Sequence, residues 1–251
     1  MCRHIAYLGP AVALGEVLVL PPHGLVRQSW APRHQRHGTV NADGFGVGWY
    51  ADGDAVPGRY RRAGPVWGDR TFSDLARVVR STALLAAVRD ATEASDDGEA
   101  AAAPFADGTL LFSHNGAVVG WPDSLAPLAH ALPPAALLSL TARCDSALIW
   151  ALVRHRLAEG DAPAQAVADT VLDVASAAPG SRLNLLITDG TGIVATAWGD
   201  TLWYLTGPGP CTVVASEPYD DDPRWRAVPD RTLLTATRDD VLLTPLKEPA
   251  Q

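Results

Sequence analysis

"MCRHIAYLGP" (residues 1–10) places one of the three cysteines of this 251-residue chain directly after the initiator methionine. A chain end normally frays, so a thiol at that position contributes little to packing. If Met1 is removed, Cys2 carries a thiol and a free α-amine, which titrate near ~8.5 and ~8 respectively. The amine can then serve as the base for its own nucleophile, without a histidine partner. The position alone also fits an incidental, buried cysteine.

Composition and charge narrow the class of protein. The chain is 47% hydrophobic and 19% charged, has a net charge of −8 and contains a single lysine, Lys247. It lacks the basic clusters that are typical of nucleic-acid binding. The cysteines have no CxxC spacing, which argues against a disulfide framework or a zinc knuckle. No apolar run approaches the ~20 residues of a membrane span, and Gly9 and Pro10 interrupt the run that a signal peptide needs. We expect a cytoplasmic protein with no nucleic-acid and no membrane partner.

Hydrophobic spacing predicts both strands and helices. The predicted strands are 45–50, 83–88, 108–113, 183–188, 192–198, 201–206 and 212–216, with a hairpin turn at Asp189-Gly190. The predicted helices are 72–81 (capped by Ser73 or Asp74), 145–160 and 162–180, and residues 94–104 are predicted to form an exposed loop. Because strands and helices come in blocks, the pattern favours a layered α+β fold in one domain.

Three further positions carry groups that a nucleophile attacking an amide requires. In "FSHNG" (112–116) we predict a strand ending at His114 and a turn at Asn115-Gly116, where an amide side chain and a backbone N–H stabilise an oxyanion. Asn-Gly is also a common hairpin turn. Arg89 follows a buried-looking strand and suits a carboxylate, while Asp145 opens a helix and suits an ammonium. A solvated strand-end arginine and a first-turn helix acid explain the last two equally well.

Taken in order, these motifs resemble the class II glutamine amidotransferase domain, which belongs to the N-terminal nucleophile hydrolases. The resemblance extends over nearly the whole chain, and its motifs are Cys2, "NADGFGVGW" (41–49), Arg89 with Ala91-Thr92, His114-Asn115-Gly116 and Asp145. It implies a four-layer αββα sandwich formed by a single domain, 2–251, after removal of Met1.

The resemblance also implies a role for each motif residue. Cys2 would be the nucleophile and its α-amine the base, and Asn115 and Gly116 would form the oxyanion hole. The glutamyl part of the substrate would be held at its α-carboxylate by Arg89, helped by the turn at Thr92. Asp145 would hold its α-ammonium.

The chain departs from the family pattern at two places. The family motif Arg-Trp-Ala-Thr-His-Gly becomes Arg-Asp-Ala-Thr-Glu-Ala from Arg89 onward, and Ala147 stands where a glutamate is usual. These changes predict poor activity on free glutamine. Because the amidase-like region takes up nearly all of the chain, we expect a hydrolase that cleaves a γ-glutamyl amide of a small molecule, without a cofactor or metal. Whether it forms a homo-oligomer stays open.

Other interpretations remain at this point. One is a glutaminase subunit that passes ammonia to a separate chain, and another is an interaction module that keeps the fold without catalysis. A third is a Cys–His hydrolase or metal enzyme, for which the sequence offers Cys2, His4, His34, His37 and His114. His34 and His37 have no cysteines at zinc-finger distances.

A leaving group with a quaternary ammonium would call for aromatic and acidic side chains. Trp30 and Asp220–Asp222 are the candidates in this sequence. A tryptophan in the core and a solvated acidic loop explain the same residues.

Overall fold

Two antiparallel sheets stacked between helices build the molecule. The computed structural model describes residues 2–38, 40–91 and 98–247. The strands in that part of the chain are β1 (Arg3–Ala13), β2 (Gly44–Trp49), β3 (Gly58–Arg62), β4 (Arg80–Arg89), β5 (Phe105–Asp107), β6 (Leu110–Ala117), β7 (Arg182–Thr188), β8 (Ile193–Ala197), β9 (Trp203–Thr206), β10 (Thr212–Ala215), β11 (Arg226–Ala227), β12 (Thr232–Ala236) and β13 (Val241–Pro245). The helices are α1 (Leu14–Leu18), α2 (Leu25–Gln28), α3 (Arg70–Val78), α4 (Ala126–Ala129), α5 (Pro134–Leu138), α6 (Asp145–Ala158) and α7 (Pro163–Ala177).

The order of the strands shows why distant parts of the chain meet. Among the described residues, the first sheet runs β11-β9-β10-β1-β4-β2-β3 and the second runs β13-β12-β8-β7-β6-β5. β1 therefore lies between a strand from the early part of the chain and one from the late part. All the pairings between neighbouring strands are antiparallel.

In the described part of the chain, three apolar clusters lie between four layers. Helices α1 and α3 cover the outer face of the first sheet, where Leu14 and Phe72 pack with Ile5 of β1. Helices α6 and α7 cover the outer face of the second sheet, where Trp150 stacks on Phe112 with ring centroids 4.9 Å apart. The third cluster fills the space between the sheets. This arrangement confirms the predicted αββα sandwich.

The three predicted helices are present, with one error at a helix start. α6 and α7 lie within the predicted ranges, and Gly160 follows α6 with a φ of +103°. α3 begins earlier than predicted, and its cap is Asp69, whose carboxylate accepts a hydrogen bond from Phe72 N at 2.8 Å. The predicted caps were wrong because Ser73 and Asp74 already lie inside the helix. No helix in the described part of the chain is both long enough and apolar enough to cross a bilayer.

The predicted exposed loop at 94–104 is wrong for its second half. Residues 94–97 lie outside the described ranges, but Ala101 and Ala102 are buried. Arg61 Nη1 donates to the carbonyl of Ala102 at 3.1 Å, which ties this segment to β3. The hairpin at Asp189-Gly190 is confirmed, and Gly190 adopts a φ of +87° in the turn between β7 and β8.

β1 was not predicted from the sequence, although it lies in the middle of its sheet. Ile5 and Tyr7 face the helices and Ala6 and Leu8 face the second sheet, so both faces are buried. A strand that is buried on both faces lacks the alternation of apolar and polar residues that identifies a strand.

His4 lies on the face of β1 that points toward the second sheet. It is fully buried, its Nδ1 lies 3.2 Å from Ser113 Oγ, and its Nε2 has no hydrogen-bond partner among the described residues. Burial, with smaller contributions from His114 and Arg3, lowers the pKa of His4 to about 3. The native protein therefore keeps this imidazole neutral at every pH at which it is expected to work.

The neutral state of His4 predicts a loss of stability in acid. In the unfolded chain histidine binds a proton near pH ~6.5, whereas folded His4 binds one only near about 3. The free energy of unfolding is thus expected to fall as the pH drops below ~6.5, by about 2 kcal/mol at pH 5 from this residue alone. Urea denaturation of the native protein and of His4→Gln at pH 7 and pH 5 measures this. An equal loss in both proteins would contradict the prediction.

Candidate active site

Four of the predicted site residues border one cleft, at the edge where β1 begins and β4 ends. Arg3 pairs with Val88 in the antiparallel ladder, which places Cys2 beside Arg89. Gly116, near the end of β6, and Asp145, at the start of α6, reach the same cleft, which has a volume of about 300 Å³. Thr92, which the sequence also predicts to lie at the glutamyl group, is outside the described residues.

Cys2 is half-buried in the wall of this cleft. Burial raises the pKa of its thiol above the ordinary value, and the carboxylate of Asp145 adds to the increase. The backbone N–H of Asp90, which hydrogen-bonds the sulfur, and the charge of Arg89 lower the pKa. Because burial has the larger effect, the thiol keeps its proton at neutral pH until a base removes it.

A glycine-containing motif holds the segment that carries Arg89. Asp43, from "NADG", donates its backbone N–H to the Arg89 carbonyl at 2.9 Å, and its carboxylate accepts from Ala91 N at 2.8 Å. Arg89 Nη1 lies 3.5 Å from the Asp43 carbonyl. The chain after β4 is thereby fixed where it passes Cys2.

The structure corrects the predicted turn at Asn115-Gly116. Both residues lie inside β6 and pair with β7, Asn115 opposite Asn184 and Gly116 opposite Leu183. Asn115 is fully buried, and its Nδ2 donates to Ser216 Oγ at 3.3 Å, while its Oδ1 has no hydrogen-bond partner among the described residues. Asn-Gly is a common hairpin turn, which is why the sequence predicts a turn here. The sequence alone does not show that these two residues pair with β7.

Gly116 allows two groups to approach where a side chain would stand. A Cβ atom at this position would collide with the carbonyl oxygen of Arg182 and would lie 2.5 Å from His114 Nε2. Only glycine permits the backbone of β6 to lie so close to its neighbours while it borders the cleft.

Backbone amides hold the Asp145 carboxylate in place. Its Oδ2 accepts from Val118 N at 3.0 Å, and its Oδ1 accepts from Ser146 N at 2.7 Å. Asp145 is the first residue of α6 after Cys144, where a negative charge is favoured by the helix dipole. Ala147, which replaces the usual glutamate, is buried in the helix and does not reach the cleft.

His114 connects the strand of Asn115 with the helix of Asp145. Its Nε2 lies 3.0 Å from the Arg182 carbonyl, which only accepts, so Nε2 carries the proton. Its Nδ1 lies 3.0 Å from Ser146 Oγ, and that hydroxyl also lies 3.3 Å from Asp145 Oδ1. This histidine has both ring nitrogens engaged and faces Cys2 across a small cavity of about 20 Å³.

The remaining candidates lie apart from the cleft. Trp30 packs edge-on against Trp67, with ring centroids 5.6 Å apart, and neither Trp30 nor Asp220–Asp222 borders the cleft. Asp220 accepts from Trp225 Nε1 at 2.7 Å and Asp221 pairs with Arg33 Nη1 at 2.8 Å, so these carboxylates already have partners.

Several residues of the cleft wall were not predicted from the sequence. Trp121 and Arg143 both border it. The signal for Trp121 is its place in the turn that follows the strand of Asn115 and Gly116. In the described part of the chain no group of three His, Cys, Asp or Glu side chains is arranged to hold a metal ion, and His34 instead packs against Trp203.

Comparison with known proteins places this geometry in a family context. Residues 25–212 match the family model of the class-II glutamine amidotransferases. The chain is 44% identical over 247 residues to a protein of Mycobacterium tuberculosis (strain CDC 1551) described as a gamma-glutamyl-hercynylcysteine sulfoxide hydrolase, covering 98% of this chain and 97% of that protein. A protein of Mycolicibacterium smegmatis with the same description is 42% identical, with 98% and 100% covered.

Solved structures share the architecture. A glutamine aminotransferase class-II domain protein from Silicibacter pomeroyi superposes with a TM-score of 0.68 at 24% identity, covering 98% of this chain and 99% of that one. Glutamine phosphoribosylpyrophosphate amidotransferase of B. subtilis gives a TM-score of 0.67 at 15% identity, covering 98% of this chain and 49% of that one. At these identities the likeness concerns the fold.

Proposed function

The chain belongs to the class-II glutamine amidotransferase family, and we propose that it hydrolyses the γ-glutamyl amide of γ-glutamyl-hercynylcysteine sulfoxide. The products are glutamate and hercynylcysteine sulfoxide, in a step of ergothioneine biosynthesis. The observation that carries the proposal is the meeting of Cys2, Arg89 and Asp145 in one cleft of a chain that matches hydrolases of that substrate over nearly their whole length.

The reaction follows from a thiol and an amine on one residue. Once Met1 is removed, the α-amine of Cys2 takes the thiol proton, and the thiolate attacks the γ-carbonyl carbon. The amide C–N bond breaks, and the leaving amine receives the proton from the α-ammonium. A γ-glutamyl thioester remains. Water then adds to the thioester with the amine as base, and release of glutamate regenerates the thiol.

The oxyanion formed in both steps needs hydrogen-bond donors that are already in place. We assign this role to the Asn115 side-chain amide and the Gly116 backbone N–H. Their support is the rigid setting: β6 is paired with β7, Asn115 is buried, and Gly116 borders the cleft. Donors held in a strand require little reorganisation as the negative charge develops.

The two charged groups of the glutamyl moiety match the two charged side chains of the cleft. Arg89 would bind the α-carboxylate, with Thr92 assisting, and Asp145 would bind the α-ammonium. Asp145 is supported for this role by its two backbone donors, which fix its position while leaving further lone pairs for a cation.

We further propose that residues 2–251 act as one catalytic unit in the cytoplasm. Its support is the position of β1 between β4 and β10, because the first sheet cannot form without both the early and the late part of the chain. The net charge of −8 argues against nucleic acid as a partner. The substrate is a small molecule, and homo-oligomer formation remains compatible with this proposal.

The proposal is tested by measuring glutamate release from γ-glutamyl-hercynylcysteine sulfoxide and from glutamine side by side. The enzyme must have Cys2 at its N-terminus, as verified by mass spectrometry. We expect kcat/KM to be at least about 10²-fold higher for the sulfoxide, because binding of the leaving group adds to transition-state stabilisation. Preferential release from glutamine would favour a glutaminase subunit instead. Release from neither substrate would favour a noncatalytic module.

A further inference from the structure

Arg3, the residue next to the nucleophile, is fully buried. Because side chains alternate along a strand, Arg3 points to the helix-covered face of its sheet, opposite to His4. Its three guanidinium nitrogens have no hydrogen-bond partner among the described residues. Arg3 Nε lies 4.0 Å from Glu217 Oε2, and this carboxylate is also fully buried. The buried positive charge of Arg3 is thus balanced by Glu217 at a distance at which attraction, and not a hydrogen bond, holds the pair.

Asp200 adds a second buried carboxyl group to this site. Burial raises the pKa of its carboxyl group, and the charges of Arg3 and Arg182 oppose that increase. Arg182 Nε lies 3.3 Å from Asp200 Oδ2. Breaking a buried pair by removing one partner leaves an uncompensated charge, so these groups depend on one another.

Glu217 also binds a surface segment, residues 33–38, which we call the 33–38 loop. Its two carboxylate oxygens accept from Arg33 N at 2.9 and 3.1 Å, and Oε2 accepts from His34 N at 2.8 Å. Glu217 follows β10, which pairs with β1, and Ser216 N donates to the His4 carbonyl at 2.9 Å. One carboxylate therefore joins the start of β1 to the start of this loop.

The far end of the 33–38 loop returns to the nucleophile. Gly38, with a φ of +69°, lies so close to Asp90 that a Cβ would collide with its carboxylate. The backbone N–H of Asp90 in turn hydrogen-bonds the Cys2 sulfur. A series of contacts therefore links Arg3 to Glu217, Glu217 to the 33–38 loop, and the loop through Asp90 to Cys2, which precedes Arg3 in the chain.

We propose that Arg3 and Glu217 are positioning residues, which hold the N-terminal nucleophile and the 33–38 loop together and whose opposite charges shift the proton affinity at Cys2 in opposite directions. This inference rests on the proposed role of Cys2 as the nucleophile. Other charged or titratable groups also face Cys2, Arg3 or Asp200, and the variants described below leave all of them unsubstituted. These groups are Arg89, Asp90, Asp145, His4, His114, Arg182, Arg36 and His37.

Two substitutions that remove charges of opposite sign test the proposal. Glu217→Gln removes a negative charge, which disfavours the protonated amine and favours the thiolate, so both groups should lose their protons at lower pH. Arg3→Met removes a positive charge and should shift both to higher pH. We expect shifts of about half a pH unit or more in each direction. Alkylation of Cys2 by iodoacetamide as a function of pH, quantified on the N-terminal peptide, reports them together with the acid limb of kcat/KM.

Controls separate positioning from loss of fold. Arg3→Lys keeps the charge and should restore the midpoint, and the double variant Arg3→Met/Glu217→Gln should return toward it. Glu99→Gln, which removes a carboxylate paired with Arg62 at 3.2 Å on the surface, should not move it. Shifts in the same direction for both single variants, or unchanged midpoints in folded variants, would overturn the proposal. The alkylation profile requires no substrate, so it remains decisive even if the proposed substrate is wrong.

Discussion

Glutamate release is expected to fall by at least about 10⁴-fold when Cys2 is replaced with alanine, because the proposed covalent step uses the thiol that the N-terminal residue carries beside its own amine. The fold should survive. Cys2 precedes β1 and is only half-buried, so the loss of its sulfur should lower the free energy of unfolding by about 1 kcal/mol or less. Steady-state release of glutamate and a urea denaturation curve measure the two effects.

Cys211→Ala is the matched control for this variant. Cys211 is also half-buried, but its thiol lies beside Tyr7 and does not border the cleft. We expect it to retain activity within about threefold of the native protein. Activity that survives in Cys2→Ala, with the N-terminus verified, would contradict the assignment of the nucleophile and favour the Cys–His or noncatalytic interpretations.

The second large effect is expected at Asn115. Removing one oxyanion donor typically lowers kcat by about 10²- to 10³-fold, and Asn115→Ala should lose that much. KM should change little, because the oxyanion exists only in the transition state and the tetrahedral intermediate. This division between kcat and KM distinguishes a donor from a residue that binds the ground state.

Two companion variants support the interpretation of Asn115. Asn115→Asp has the same shape but no N–H donor and should lose at least as much activity as Asn115→Ala. Ser216→Ala removes the hydroxyl that accepts from Asn115 Nδ2 at 3.3 Å and leaves the donor itself in place. We expect it to lose less activity than either. Retention of kcat within about threefold in folded Asn115→Ala would exclude the side chain as an oxyanion donor.

The features that can be predicted from the amino-acid sequence alone are mostly local. The starts and ends of α6 and α7 follow from 3.6-residue spacing, Pro163 and Gly160, all of which act within one or two turns. The candidate chemistry was also readable, because Cys2, Arg89, the His-Asn-Gly motif and Asp145 carry their functional groups wherever they lie. Each of these four motifs is a weak signal alone, but their joint resemblance to one family predicts the fold.

Features that depend on contacts between distant segments could not be predicted from the sequence. Asn115 and Gly116 form part of a strand and not a turn because β7, far along the chain, supplies the pairing partner. Arg3 faces Glu217 from the opposite end of the chain only because β1 and β10 are neighbours in one sheet. The physical reason is that the period of side chains along a strand is local, whereas the strand that it pairs with, and the register of that pairing, depend on the packing of the whole molecule.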